Sequence, residues 1–251
     1  MLKVDLNADM GESYGRWTLG DDAALLDIVT SANIACGFHA GDPDVMANTM
    51  RMAFNKNVGI GAHPGFPDLQ GFGRRPMAMP ADSLQNAIRY QLGAARAVAA
   101  AAGGELRHVK LHGALANMAS RDGDLARICY EAVRDFDPKL VIMVLAATAM
   151  EEVVKDMGSD YAAEIYADRA YEDDATLVDR SQEGAVIHDA GAAAERMVKM
   201  VKQGAIISEN GRKIPTRIDT ICLHGDTPEA VGIGQSVRAA LTGAGIEVCK
   251  L

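Results

Sequence analysis

The sequence predicts a single α/β domain assembled from βα units, and three observations predict it. Short β-branched or apolar runs alternate with longer segments of helical period, the rhythm of a parallel sheet covered by helices. The length, 251 residues, suits one α/β barrel of roughly 200–250 residues, so no division is required. Hydrophobic residues make up 49% of the chain and charged ones 24%, a balance that excludes disorder. With no internal repeat, low-complexity tract or linker, residues 1–251 read as one domain.

Strands are expected at 3–7, 33–36, 58–62, 109–112, 140–145, 164–166 and 220–224, with a short last one at 246–249. After the second strand, Asp42-Pro43 reads as an N-cap followed by proline at the first helical position, where the missing N–H costs nothing. Thr227-Pro228 repeats the device after the seventh. Leu84, Ile88, Leu92, Ala95, Ala99 and Ala102 share one face of a helix that opens near Pro80 and ends at Gly103-Gly104. Leu125, Ile128, Cys129, Ala132, Val133 and Phe136 mark a second buried stripe, stopped by Asp137-Pro138. Residues 167–183 carry charges without a clean period and are expected to form a functional lid. Ser208-Glu209-Asn210-Gly211 between two extended runs predicts a hairpin near 205–218, added to the α/β rhythm and covering one end of a barrel.

Charge excludes some partners. With 25 Lys and Arg against 34 Asp and Glu and a net charge of −9, no basic block offers a footprint for nucleic acid or an anionic membrane. The first seven residues include Asp5 and Asn7 where a signal peptide needs an unbroken apolar stretch, and the uncharged run 140–150 is too short to span a bilayer, so a cytoplasmic protein is expected. Cys36, Cys129, Cys222 and Cys249 form no C-x-x-C pair and read as reduced thiols.

Polar residues gather at the C-terminal ends of the strands: Asn7, Asp9 and Glu12; His39 and Asp42; His63 and Asp68; Lys110 and His112; Asp168 and Arg169; His224 and Asp226. In a parallel barrel those ends converge on one site. Period-two alternation in Val109-Lys110-Leu111-His112 turns Lys110 and His112 to the same side, and Asp5 with Asn7, Glu164 with Tyr166 and Cys222 with His224 show the same parity. The polar set should therefore line the barrel mouth. A lysine pointing into a barrel needs an anionic partner, from substrate or from a carboxylate. Arg74-Arg75, after Gly71-Phe72-Gly73, offers an anion contact or a solvated pair.

Neither a P-loop, a dinucleotide fingerprint, a nucleophile elbow nor an H-E-x-x-H helix is present. ATP, if used, would need an unconventional site or a site on another chain. Asp9, His39 and His63 suit a divalent metal by donor type, but no short ligand spacing marks a site, and acid/base roles for the histidines are the preferred reading.

Five ordered motifs carry a resemblance: Asp5-Leu6-Asn7-Ala8-Asp9-Met10-Gly11-Glu12, the run from Asn33 to Pro43, Gly61-Ala62-His63-Pro64-Gly65-Phe66-Pro67-Asp68, Lys110-Leu111-His112-Gly113-Ala114-Leu115 and Cys222-Leu223-His224-Gly225-Asp226. Together they resemble the LamB/YcsF family over essentially the whole chain. The resemblance implies a (β/α) barrel with seven main parallel strands, similar to glycoside hydrolase/deacetylase barrels. It also implies the role of the A component in an ATP-hydrolysing 5-oxoprolinase, which with subunits B and C opens 5-oxoproline to L-glutamate, ATP being bound mainly on the partner subunits.

That reaction needs an activated carbonyl, a positioned water and a proton for the departing nitrogen. Asp9, Glu12, His39, His63, Lys110, His112 and His224 are the candidate catalytic residues, and Asn7, Arg74, Asp168, Arg169 and Asp226 the candidate substrate contacts. Two other classes stay open: a stand-alone metal-dependent amidohydrolase or deacetylase of the same barrel class, and a non-catalytic substrate-binding subunit.

Overall fold

The computed structural model describes residues 1–224 and 229–251. Asp226 and the Thr227-Pro228 cap lie outside the described residues. The elements run β1 (Lys3–Met10), α1 (Asp22–Leu25), β2 (Ser31–Ala35), α2 (Pro43–Asn55), β3 (Gly59–His63), α3 (Ala81–Ala101), β4 (Leu106–Lys110), α4 (Gly113–Ala119) and α5 (Gly123–Phe136). They continue with β5 (Val141–Leu145), α6 (Ala149–Asp156), β6 (Tyr161–Tyr166), α7 (Ala190–Gln203), β7 (Ala205–Ile207), β8 (Lys213–Pro215), β9 (Thr220–Leu223), α8 (Ala230–Gly243) and β10 (Glu247–Val248).

Seven parallel strands close into a barrel in the order β1-β2-β3-β4-β5-β6-β9, with β9 returning to β1. Closure leaves no free edge in this ring. The short β10 adds to the start of β1 in parallel, pairing Lys3 with Glu247. The helices form the outer layer. Val4, Leu6, Ala8 and Met10 are buried on β1 and alternate with the inward Asp5, Asn7 and Asp9.

Local chemistry sets the helix ends. Asp42 caps α2 by accepting from the amides of Asp44 and Val45, with Pro43 in the first turn. Asp122 and Asp189 cap α5 and α7 in the same way, and α7 ends at Gly204 with φ +57, a left-handed value that glycine adopts without strain. The buried stripe of α3 contains a polar residue, Gln91, among Leu84, Ile88, Leu92, Ala95 and Ala99. Its amide grips the loop after β3: Oε1 accepts from Gly65 N and Nε2 donates to Gly65 O, both at 3.0 Å.

β1 runs on to Met10, and β2 and β6 begin two and three residues earlier than expected; two further departures bear on the site. β4 begins and ends earlier than 109–112, because Leu106 and His108 belong to the ladder and His112 has become the N-cap of α4. A buried histidine inside a strand hid that start, and Gly61 on β3 accommodates it, since a Cβ there would overlap the His108 ring. Asp5 is not at the mouth. It sits at the opposite end of the barrel interior, accepting from Thr30 Oγ1 at 2.6 Å, Ser31 Oγ at 2.7 Å and Thr220 Oγ1 at 2.6 Å, and burial raises its pKa.

Antiparallel β7 and β8 flank the Asn210-Gly211 turn. Its tip is tied to the segment after β6: Ser208 Oγ donates to Asp173 at 2.5 Å and Glu209 N to Tyr171 O at 2.9 Å. That segment is packed rather than open. Tyr171, Ala175, Thr176 and Val178 are buried, and the Arg169 guanidinium donates to the carbonyls of Val178 at 2.5 Å and Ala185 at 3.3 Å.

Candidate active site

At the C-terminal end of the barrel lies a cavity of about 490 Å³, lined in part by Asp9, Glu12, His63, Lys110, His112 and His224. Its floor is a buried charge cluster. Lys110 Nζ lies 2.9 Å from Glu164 Oε1, 3.0 Å from Asp9 Oδ1 and 3.0 Å from Cys222 Sγ, and 4.9 Å above the Tyr166 ring. Burial alone would push the lysine pKa down, but Asp9, Cys222 and Glu164 overcome it and hold the ammonium well above its ordinary range. For Asp9, burial is likewise opposed by His63 and Lys110, and its carboxyl is held well below the usual range.

Lys110 therefore already has its anionic partners. Two carboxylates against one ammonium leave the cluster without surplus positive charge, so the lysine is no anion receptor by itself. Asn7 supports this floor and is not among the residues lining the cavity. Its Nδ2 donates to Glu164 Oε1 at 2.9 Å and Thr220 Oγ1 at 2.7 Å, while its Oδ1 accepts from Asn33 Nδ2 at 2.7 Å. Asn33 in turn reaches Asp9 at 2.9 Å and His108 Nε2 at 2.9 Å.

One wall holds three histidines. His39 and His112 stack with centroids 3.7 Å apart and planes 5° apart, and His63 stands edge-on to both. Glu12 Oε1 lies 4.0 Å from His39 Nε2 and 3.9 Å from His112 Nε2. Burial foremost lowers the pKa of His39 and His112 well below the histidine range, so both are neutral at pH 7. His39 lies behind this wall, fully buried and not part of the lining.

On the opposite side His224 Nδ1 meets both Asp168 oxygens, at 2.9 and 2.8 Å. Asp168 stays ionised: burial raises its pKa, but His224 outweighs it and the net shift is downward. A carboxylate on Nδ1 fixes the tautomer that carries the proton there and leaves Nε2 as the basic nitrogen. Asp168 thus acts through His224 rather than lining the cavity.

The two arginines of the Gly71–Arg75 loop separate. Arg75 pairs with Asp68, which also accepts from Gly71 N at 3.0 Å, whereas Arg74 lines the cavity with its guanidinium 4.9 Å over the Phe72 ring. Arg169 borders the cavity, with its Nε and Nη2 held by the 185 and 178 carbonyls. Sequence reasoning missed Arg121 and Arg180, which also line the cavity. They sit in segments without periodicity, so nothing in their spacing marked them. Glu164 was legible as inward-facing by its parity with Tyr166, though not as a partner of Lys110.

The profile of the LamB/YcsF family matches residues 4–251. This chain belongs to the LamB/YcsF family. A relative from Ruegeria pomeroyi, named as the A component of 5-oxoprolinase, is 63% identical over 248 residues, covering 99% of this chain and 98% of its own. The crystal structure of a lactam utilization protein from Thermus thermophilus superimposes with a TM-score of 0.93 at 43% identity, covering 100% of both chains. A peptidoglycan N-acetylglucosamine deacetylase catalytic domain from Eubacterium rectale shares the fold alone, with a TM-score of 0.53 at 10% identity over 99% of this chain and 87% of that one. Relatives named as the A component of 5-oxoprolinase thus match this single seven-stranded barrel over nearly its whole length. Among the described residues, no helix is long and apolar enough to cross a membrane.

Proposed function

We propose that this chain is the ring-opening component of an ATP-dependent 5-oxoprolinase, converting 5-oxoproline to L-glutamate together with subunits B and C. The substrate and a multi-subunit assembly are supported by the names of its relatives; ATP and subunits B and C follow from the family resemblance alone. The observation that carries the chemistry is the Asp168–His224 pair facing the cavity. His224 Nε2 takes a proton from water as the water oxygen attacks the lactam carbonyl carbon, and the same proton passes to the ring nitrogen as the C–N bond breaks. Asp168 stabilises the imidazolium formed between the two transfers.

A lactam resists attack, so its oxygen must first be activated. ATP bound mainly on the partner subunits supplies that activation by phosphorylating it, with ADP leaving. Attack by the first water and cleavage of the C–N bond then give γ-glutamyl phosphate, and a second water releases inorganic phosphate and L-glutamate. Arg74, Arg121 and Arg180 on the cavity lining then receive the carboxylate and the phosphoryl oxygens, a task for which guanidinium groups suit both geometry and charge. The compensated Lys110 cluster holds Asp9, Tyr166 and His63 in place beneath them.

The test is ATP- and 5-oxoproline-dependent glutamate release by this protein alone and with candidate B and C subunits. Release only in the full mixture, reduced about 10²–10⁴-fold by His224→Ala, is the expected result. Unchanged turnover in that variant removes His224 from the mechanism, and no release from folded, assembled components removes the substrate.

A further inference from the structure

We infer that Glu12, His39, His63 and His112 form a binding site for a divalent first-row transition metal. The site belongs to the cavity assigned above to the lactam, but the inference stands on the geometry of these four side chains. One potential ligand atom from each lies within 4.8 Å of all the others. Among the described residues, both nitrogens of His39 and Nδ1 of His112 are buried without a hydrogen-bond partner, and His63 Nε2 has only the Asp9 carboxylate, 3.3 Å away. Buried polar atoms are nearly always satisfied, and each exception costs about 1–3 kcal/mol. One ion can take a single nitrogen from each of the three rings, and a metal ion is the ligand that accepts several such lone pairs at once.

The tautomer of His63 agrees. Its Nδ1 is 2.8 Å from the Lys110 carbonyl oxygen, which can only accept, so Nδ1 carries a proton and Nε2, turned toward Asp9, is the nitrogen from which a metal ion would displace a proton. Metal-ligating histidines are held in this way by a backbone carbonyl or carboxylate behind the ring. The rings are also confined by backbone: a Cβ on Gly65 would lie 2.9 Å from His39 Nδ1, and one on Gly73 would lie 2.7 Å from His112 Nδ1. Three imidazoles and one carboxylate are donors for zinc, manganese, iron or cobalt, whereas calcium and magnesium take oxygen ligands. Asp9 Oδ2, 3.3 Å from His63 Nε2, adds a second negative charge nearby. Asp9 is bound to Lys110, so Glu12 and His112 join His39 and His63 in place of the Asp9, His39 and His63 set expected from donor types. The parallel His39 and His112 rings cannot both aim a lone pair in plane at one point, so a shared ion requires one of them to turn about its Cβ–Cγ bond.

The test is elemental analysis of the purified protein, followed by chelator dialysis and calorimetric titration with ZnCl₂ and MnCl₂. One equivalent per chain, rebinding after dialysis, and affinity weakened at least about 100-fold by His63→Ala or Glu12→Gln, but unchanged by the control His188→Ala, are expected. Circular dichroism reports whether each variant is folded. Should a variant fail to fold, the wild-type stoichiometry decides alone. Below a tenth of an equivalent with no rebinding overturns the site, as does binding indifferent to His63 and Glu12. Protein that takes up no metal yet releases glutamate would refute the site while leaving the ring-opening role intact. A stoichiometric metal without any glutamate release would do the reverse.

Discussion

Replacing Lys110 by methionine keeps the length and apolar stem of the side chain and deletes the charge. Three contacts of 2.9–3.0 Å disappear at once, and Asp9 and Glu164, both buried, lose their shared cation. Breaking a buried ion pair from one side costs about 3–5 kcal/mol, which for a chain of this size lowers Tm by roughly 6–20 °C. The loss depends on pH. Asp9 titrates below its ordinary 3.8 when folded, so its stabilisation is present above the unfolded pKa and vanishes as pH falls through the folded one. Lys110 titrates above its ordinary 10.5, so its share is present below that value and vanishes as pH rises through the folded pKa. The gap between wild type and Lys110→Met should be full at pH 7 and shrink on acidification, as the buried carboxylates that have lost their cation protonate in the variant. Calorimetric melts from pH 3 to pH 8 measure it, and adding Glu164→Gln should restore part of the loss. A difference under about 1 kcal/mol, or one unchanged from pH 3 to pH 8, refutes the argument.

Asp168→Asn keeps the shape of the His224 contact but removes the charge that stabilises the imidazolium; glutamate release should fall about 10²–10⁴-fold with little change in Tm. Gly61→Ala drives a methyl into the His108 ring and should destabilise by about 1–3 kcal/mol, with His108→Ala in the same chain recovering part, as denaturant titration would show. Gln91→Leu leaves the Gly65 amide and carbonyl unpaired, and should lose about 1–3 kcal/mol with faster hydrogen exchange at Gly65.

The barrel was readable because its outward residues are apolar at alternate positions. Val4, Leu6, Ile165 and Leu223 announce strands, and the cap at Asp42 and the stripe of α3 announce helices. The error at β4 came from His108, whose burial is possible only because Gly61 stands across from it, a pairing between strands that a single sequence does not display. The gathering of polar residues at strand ends was likewise visible, but their division of labour was not. Asn7 commits its amide to Glu164 and Thr220, and Arg169 commits two of its guanidinium nitrogens to loop carbonyls while still lining the cavity. Arg121 and Arg180 enter the cavity lining only through the path of the loops.

The polar interior of β1 also bears on how the chain selects one pairing among several. A slip of two residues would leave Val4, Leu6, Ala8 and Met10 facing the helices, so hydrophobic burial alone tells the native register poorly from its neighbours. Asp5, Asn7 and Asp9 each meet different groups on β2 and β9 or beyond: hydroxyls for the first, amide and carboxylate for the second, and an ammonium for the third. In a shifted ladder a carboxylate faces the wrong neighbour and an ammonium is stranded without water. The buried ladder of polar side chains thereby acts as a key that admits a single alignment.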